Sequence, residues 1–513
     1  MGTGTAGGAT GGPFVLALDQ GTTSSRAAVW DFALLPPRLR GMGRVELPQI
    51  YPRPGWVEHD PEAIWSSQHA AAVQALERAG LPAARLSAIG IANQRETAVL
   101  WDRGSGRPVG NAIVWQCRRT APLCATLDRE GWGTAVAART GLRLDPYFSA
   151  TKVAWMLEHH PGAAEAAAAG RLAFGTVDAW LLWNLTGGRV HATDATNASR
   201  TMLYDIHRRS WEPALAERLG IPAAILPEVR PTSGTFGLTD AAVLGAAVPV
   251  AAMAGDQQAA LFSQGCWSPG ACKNTYGTGC FLLLHTGDRP PAPSAAGLLG
   301  TVARGLDGAA EYALEGSVFT AGAAVQWLRD GLGLFAATSD VERLAAAVPD
   351  AGGVVFVPAF TGLGTPDWDP LARGAILGLT RGATAGHLCR AALEAIAFQT
   401  AEVYEALVRE AGLAGSELRV DGGAAAADLL LQIQADLLGA AVVRAPTLES
   451  TALGAALLAA LGAGLAASPA ELAPAVAGGR RFLPRSEPAW RFAERARWRR
   501  GVERALGWAP PGA

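Results

Sequence analysis

Two glycine-threonine turns occupy matching settings in this chain, DQGTT at residues 19–23 and YGTG at residues 276–279, each between apolar, β-rich runs. Reuse of one turn chemistry in two halves of a chain constrains the fold, because it reads as one α/β unit that starts twice. In the first half, PFVLALDQ and SRAAVWD form the arms of a hairpin. Asp60-Pro61-Glu62 then opens a helix: Asp60 is an N-cap, Pro61 suits the first helical position, and Gly80 stops the pattern. Strands follow at LSAIGIAN, TAVLWD and AIVWQ, the last two joined by the turn RGSGRPVGN, and helices fill much of 119–185.

The chain restarts at PVAAMAGD. Here NTYGTGCFLLL and EYALEG read as strands, 317–331 and 384–411 as helices, and RVDGG as a strand end running directly into the helix AAAADLLLQIQADLLG. The expected fold class is α/β, in two related domains that face each other across a cleft. They occupy 13–265 and 266–505, divide near Cys266–Gly270, and follow a disordered tail at 1–12. A length of 513 residues has room for two such domains with their own cores.

Charge and composition exclude several function classes. The formal charge of −2 supplies no basic field, so neither nucleic acid nor an anionic membrane surface is an expected partner. Lysine occurs only at Lys152 and Lys273, and neither sits in a G-x-x-x-x-G-K-[ST] loop, which removes that loop as a nucleotide site. No Lys or Arg precedes Arg26, so the positive region of a secretory signal is missing. The longest uncharged apolar run, Ala452 to Ala467, is shorter than the roughly 20 residues a membrane span needs. Six cysteines without C-x-x-C spacing argue against a zinc site and for reduced thiols in a cytoplasm.

Several segments carry the residue types that phosphoryl transfer requires: a metal ligand, donors for phosphate oxygens, and a base near the acceptor hydroxyl. In DQGTTSSR, Gly21 admits an anion close to the backbone, Thr22, Thr23 and Ser24 add hydroxyls, Arg26 reaches a phosphate oxygen, and Asp19 can hold Mg²⁺ directly or through water. An ordinary capped hairpin turn is the alternative. Arg95 and Glu96 in NQRET suit a polyol, since Arg donates to hydroxyl oxygen while Glu accepts a hydroxyl proton; a solvated ion pair is the alternative. Tyr147 adds a phenol. Asp256 follows the apolar run VPVAAMA and is the candidate general base, or else the N-cap of QQAALF. Trp115 and Phe281 can form an apolar wall, although aromatics on strands are usually core. The double glycine at 422–423 admits a flat ring or a phosphate.

These segments resemble the FGGY carbohydrate kinases, and among them the glycerol kinases. The likeness runs from about Val15 to Arg500 through LALDQGTTSSR, IYPRPGWVEHDP, NQRET, NAIVWQCRRT, DPYFSATK, TDATNASRTML, AGDQQAALF, KNTYGTGCF, YALEGSVF, GAILGLTRG and RVDGGA. The resemblance implies a two-domain, ribonuclease-H-like, actin-type ATPase fold with its active site in the interdomain cleft, and glycerol and ATP as substrates with Mg²⁺. It further implies that Arg95, Glu96, Tyr147 and Asp256 contact glycerol hydroxyls, with Asp256 as base, Gln257 assisting, and Trp115 and Phe281 as the wall. Thr23, Thr278, Gly322, Gln326 and Gly423 match nucleotide-contacting positions, and Asp19 and Arg26 match groups around Mg²⁺ and the γ-phosphate. A homo-oligomer, dimer or tetramer, is expected of such a relative.

Three positions depart from that pattern. Ala427 stands where an asparagine usually meets the adenine, which predicts weakened ATP binding unless Asp428 substitutes. The segment 238–248, LTDAAVLGAAV, aligns with a basic loop that binds an inhibitory sugar bisphosphate in some relatives, yet it has no Lys or Arg. No histidine lies between His207 and His285, so phosphohistidine activation is not expected.

Overall fold

Alternate side chains of the strand Phe14–Gln20 divide between two layers, as a period of two dictates. Phe14, Leu16 and Leu18 join a core with Ile64, Ala71 and Ala75 of the helix Pro61–Ala79. Val15 and Ala17 face Ala452, Ala455, Ala456 and Ala459 of the helix Ser450–Gly462. The protein, described by a computed structural model over residues 13–510 except 307 and 416, is thus built on a sheet buried on both sides. The tail expected at 1–12 lies outside the described residues.

The first sheet has six strands in the order Ser233–Leu238, Pro249–Gly255, Leu86–Asn93, Phe14–Gln20, Ser24–Asp31, Arg38–Glu46. Its three middle strands, from Pro249–Gly255 to Phe14–Gln20, are parallel, and the flanking pairs are antiparallel. The second sheet has seven, in the order Arg480–Phe482, Val442–Arg444, Leu418–Asp421, Cys272–Tyr276, Cys280–Gly287, Ala309–Val318, Leu299–Leu306. Its parallel strands are again the three ending at the first hairpin arm. The two glycine-threonine turns therefore join equivalent strands, each opening a hairpin whose first arm borders two parallel strands, and the expected two-domain α/β fold is what the chain adopts.

Local signals set most boundaries. Asp60 accepts the Glu62 amide at 2.9 Å, and Gly80 closes the helix in the left-handed region at φ 64°. Thr384 caps the 27-residue helix Ala385–Ala411. Two expectations need correction. Ser317 and Val318 continue a strand, so the helix expected over 317–331 spans only Gly322–Asp330. The helix after RVDGG does not follow directly: a 3-10 turn at Gly423–Ala426 intervenes and the helix is Asp428–Leu438. TAVLWD and AIVWQ meet antiparallel at Ala98 and Ile113, while Val99–Asp102 pairs with Leu172–Gly175 and Ala112–Ile113 with Glu58–His59.

The apolar run from Ala452 has a packing role. Its helix lies on the first sheet and against the helix Asp256–Ser263, so closely that a Cβ on Gly454 would collide with the Ala259 carbonyl. Small side chains allow two helix backbones to touch while excluding water. Among the described residues, no helix is long and apolar enough to cross a membrane.

Candidate active site

The first hairpin delivers Asp19 to the end of its strand, paired across the ladder with Arg26. Its turn is tight: the Gly21 amide donates to the Ser24 carbonyl at 3.1 Å. Burial pushes the Asp19 carboxyl up to about 7, with Arg26 pulling the other way and Asp256 and Glu449 adding to the rise. A buried carboxylate at the end of this strand suits a bound divalent ion. Among the described residues no three His, Cys, Asp or Glu side chains gather as a metal cage. Thr22 is half-buried and accepts the Trp115 indole N–H at 2.9 Å, Thr23 is exposed, and Ser24 is buried. Arg26 is half-exposed and meets Glu449, the residue just before the helix Ser450–Gly462, at 3.3 Å.

Arg95 and Glu96 lie beyond the strand Leu86–Asn93, at a bend that turns both inward. They are 3 % and 1 % exposed, so this is no solvated pair. Glu96 sits at φ 63°, a region that favours glycine and is costly for a residue with a Cβ. Asp256 arrives from the neighbouring parallel strand, Pro249–Gly255, as the first residue of the helix Asp256–Ser263. Asp256 is thus the first residue of the helix and not its N-cap, a position that Gly255 takes where the strand ends. Its Oδ1 accepts the Gln257 amide at 2.7 Å and faces Arg95 Nε at 3.3 Å. Trp115 stands edge-on to Tyr147 at 5.6 Å and to Phe281 at 6.2 Å between centroids. The fold therefore brings the two residues of the expected wall together, with Phe281 contributed by the second sheet. Burial pushes the Tyr147 phenol upward, keeping it protonated.

The second glycine-threonine turn is bound to two other segments. The Gly277 carbonyl accepts the Gly322 amide at 3.0 Å, and a Cβ on Gly322 would lie 2.6 Å from that oxygen, so only glycine permits the approach. The Thr278 carbonyl accepts the Ala321 and Ala323 amides at 2.8 and 3.2 Å. Gly422, at φ 87°, lies against the Tyr276 backbone. Thr278, Gln326 and Gly423 are exposed around this junction, and Gly423 has open space where a Cβ would be. Ala427 is half-buried at the N-cap of Asp428–Leu438. Asp428, the expected substitute for an asparagine, is paired with Arg444 at 2.9 Å and Arg480 at 2.7 Å.

Sequence reasoning missed the frame around the site. Glu315, fully buried on the second sheet, accepts Arg95 Nη2 at 3.1 Å and Arg200 Nη2 at 2.8 Å. Arg200 Nε in turn donates to Glu96 Oε1 at 2.6 Å. Two arginines and two glutamates thus close a buried circuit across the two halves. Burial pushes the Glu315 carboxyl up, but Arg200 and Arg95 more than offset it and leave it below its usual range. Gln94 ties its amide and side chain to Gln20, at 2.7 and 3.0 Å, and so anchors NQRET to the phosphate hairpin. Arg200 and Glu315 lie in TDATNASRTML and YALEGSVF; their only advance signal was a charge within an apolar or small-residue run.

A family model described as the FGGY family of carbohydrate kinases, N-terminal domain, matches residues 14–263, and that of the C-terminal domain matches 272–463. The chain is 56% identical over 496 residues to a glycerol kinase of Symbiobacterium thermophilum, covering 97% of this chain and 99% of that one. It is 58% identical over 499 residues to a glycerol kinase of Trichlorobacter lovleyi, covering 97% and 100%. Among solved structures, Plasmodium falciparum glycerol kinase with ADP superposes with a TM-score of 0.89 at 31% identity, covering 97% of this chain and 99% of that one.

Proposed function

The chain belongs to the FGGY family of carbohydrate kinases, and we propose that it transfers the γ-phosphoryl group of ATP to glycerol, giving sn-glycerol 3-phosphate for glycerol catabolism. One observation carries the reading. Arg95, Glu96 and Asp256, which suit a polyol, leave adjacent parallel strands beside a wall whose Trp115 is hydrogen-bonded to Thr22 of the phosphate turn. Acceptor and phosphoryl donor are thereby framed by one continuous set of contacts.

In this mechanism Arg95 and Tyr147 donate to glycerol oxygens, Glu96 accepts a hydroxyl proton, and Trp115 and Phe281 cover the C–H face. Asp256 takes the proton of the attacking hydroxyl as the new P–O bond forms and ADP leaves. Gln257 lies beside it, its side chain fixed by Lys273 Nζ. Thr23, Ser24 and Arg26 on one side, and Thr278, Gly322, Gln326 and Gly423 on the other, bind the nucleotide. Arg26 must exchange Glu449 for phosphate as it does so. Mg²⁺, held by Asp19 together with the nucleotide's phosphates, would neutralise charge on the transferring group. All six cysteines are free and buried, which supports residence in a reducing cytoplasm as part of the proposal. Association into a homo-oligomer is a further part of it.

The test is a coupled assay of the purified protein with MgATP and a panel of polyols and pentuloses. Glycerol 3-phosphate should form far faster than any other product; comparable turnover of a pentulose would defeat the assignment. Ala427→Asn should lower the apparent KM for ATP about fivefold, the worth of one hydrogen bond of about 1 kcal/mol, and an unchanged KM would show that the adenine does not depend on this position. Fructose 1,6-bisphosphate should not inhibit, since the guanidinium beside segment 238–248, that of Arg189, is paired with Asp240 at 2.8 Å. Clear inhibition at millimolar concentration would contradict this.

A further inference from the structure

Lys152 and Lys273 are the only lysines among 43 Lys and Arg residues, and both are fully buried at the site. Arginine fills every other such position, so lysine here calls for a local reason. The two side chains differ in shape: a guanidinium is a planar fork suited to carboxylates, whereas an ammonium is a compact donor able to serve oxygens that converge on one point. Lys152, on the helix Ser149–His159, meets two such oxygens. Its Nζ donates to the Glu96 carbonyl at 3.0 Å and to the Tyr147 carbonyl at 2.6 Å. The Glu96 carbonyl also accepts Ser149 Oγ at 3.0 Å. Two donors from one helix turn therefore pin the carbonyl of a residue whose backbone is held at φ 63°.

We propose that Lys152 is a positioning residue for the acceptor, a compact donor that locks the backbones of Glu96 and Tyr147 so that their carboxylate and phenol meet the glycerol hydroxyls in one geometry. This rests on the glycerol-kinase reading above. The two residues belong to separate segments, and among the described residues Lys152 is the single side chain that bonds to the backbone of both. Burial draws its ammonium down to about 7, against the pull of Glu96. Both ties survive loss of one proton, because a neutral amine still has two N–H groups for two carbonyls. Backbone strain at Glu96 is tolerated only where the surroundings over-determine it, which is what the paired donors do. Lys273 plays a similar part among side chains, with Nζ donating to Gln257 Oε1 and to Thr275 Oγ1.

The experiment compares Lys152→Arg, Lys152→Met and Ser149→Ala with the wild type, as full-length chains, in steady-state assays that vary glycerol and MgATP separately. Both Lys152 variants should raise the apparent KM for glycerol at least about tenfold and lower kcat, with the KM for ATP within about twofold. Arginine, though charged, should not rescue. Ser149→Ala should shift the glycerol KM in the same direction by about threefold. A glycerol KM within twofold of wild type in Lys152→Arg overturns the proposal, and so does an equal rise in both KM values, the mark of a general structural role. Should neither Lys152 variant fold, Ser149→Ala decides alone, and an unchanged glycerol KM there overturns it. A wild type that does not phosphorylate glycerol would remove the functional reading itself; an active wild type with unaffected variants removes only the role of Lys152.

Discussion

Replacing Asp256 by asparagine is expected to lower kcat by about 10²- to 10⁴-fold, equivalent to roughly 3 to 5 kcal/mol of barrier, while the KM for glycerol changes little. The geometry makes this substitution a clean one. Asp256 Oδ1 accepts the Gln257 amide and faces Arg95 Nε, and an asparagine oxygen can keep both contacts. Neither contact uses Oδ2, the atom that asparagine converts from a proton acceptor into a donor. Because the carboxylate opens a helix and closes a strand, its backbone is fixed from both directions, and the variant should bind both substrates. Steady-state kinetics with a melting curve decide the matter: a kcat within tenfold of wild type at unchanged stability would mean that another group accepts the proton.

Glu315→Gln should have its largest effect on stability. Glu315 is fully buried and compensates Arg95 and Arg200 together, so neutralising it leaves two guanidinium groups with Glu96 and the partly exposed Asp256. Breaking a buried pair by removing one charge typically costs about 3–5 kcal/mol, because the remaining charge stays desolvated. Against a total stability of about 5–15 kcal/mol, that should lower the apparent melting temperature by roughly 10 °C. The same change frees Arg95 to swing toward Asp256, so the KM for glycerol should rise as well. A melting temperature within 2 °C of wild type would show that the circuit is not a net support of the fold.

Most residues that touch the substrates in the proposed mechanism were legible because each sits in a short segment with local cause. Asp19 ends a strand before a glycine turn, Asp256 ends one before a helix, and the double glycine marks a close backbone approach. The frame was not legible. Arg200 and Glu315 are separated by more than a hundred residues, and nothing in either segment shows that the other neutralises it. Asp428 shows the same limit: Arg444 and Arg480 reach its carboxylate from elsewhere in the second sheet, and nothing in the residues beside Ala427 signals those pairs. The helix Ser450–Gly462 shows the converse. Its Ala- and Gly-rich run looked like a diluted apolar segment, and only the fold shows that small side chains were needed to bring it against Asp256–Ser263.

By itself, the sequence determined the repeated hairpin unit, the polar residues at strand ends and the absence of a basic field, since these depend on neighbours within a few positions. Tertiary structure alone decided which charges meet. Arg95 faces Glu315, Glu96 faces Arg200, Phe281 closes a wall begun by Trp115, and Glu449 holds Arg26. The physical reason is that burial makes an unpaired charge costly, while its partner's identity depends on which distant strands become adjacent, a choice made by the packing of whole sheets and helices.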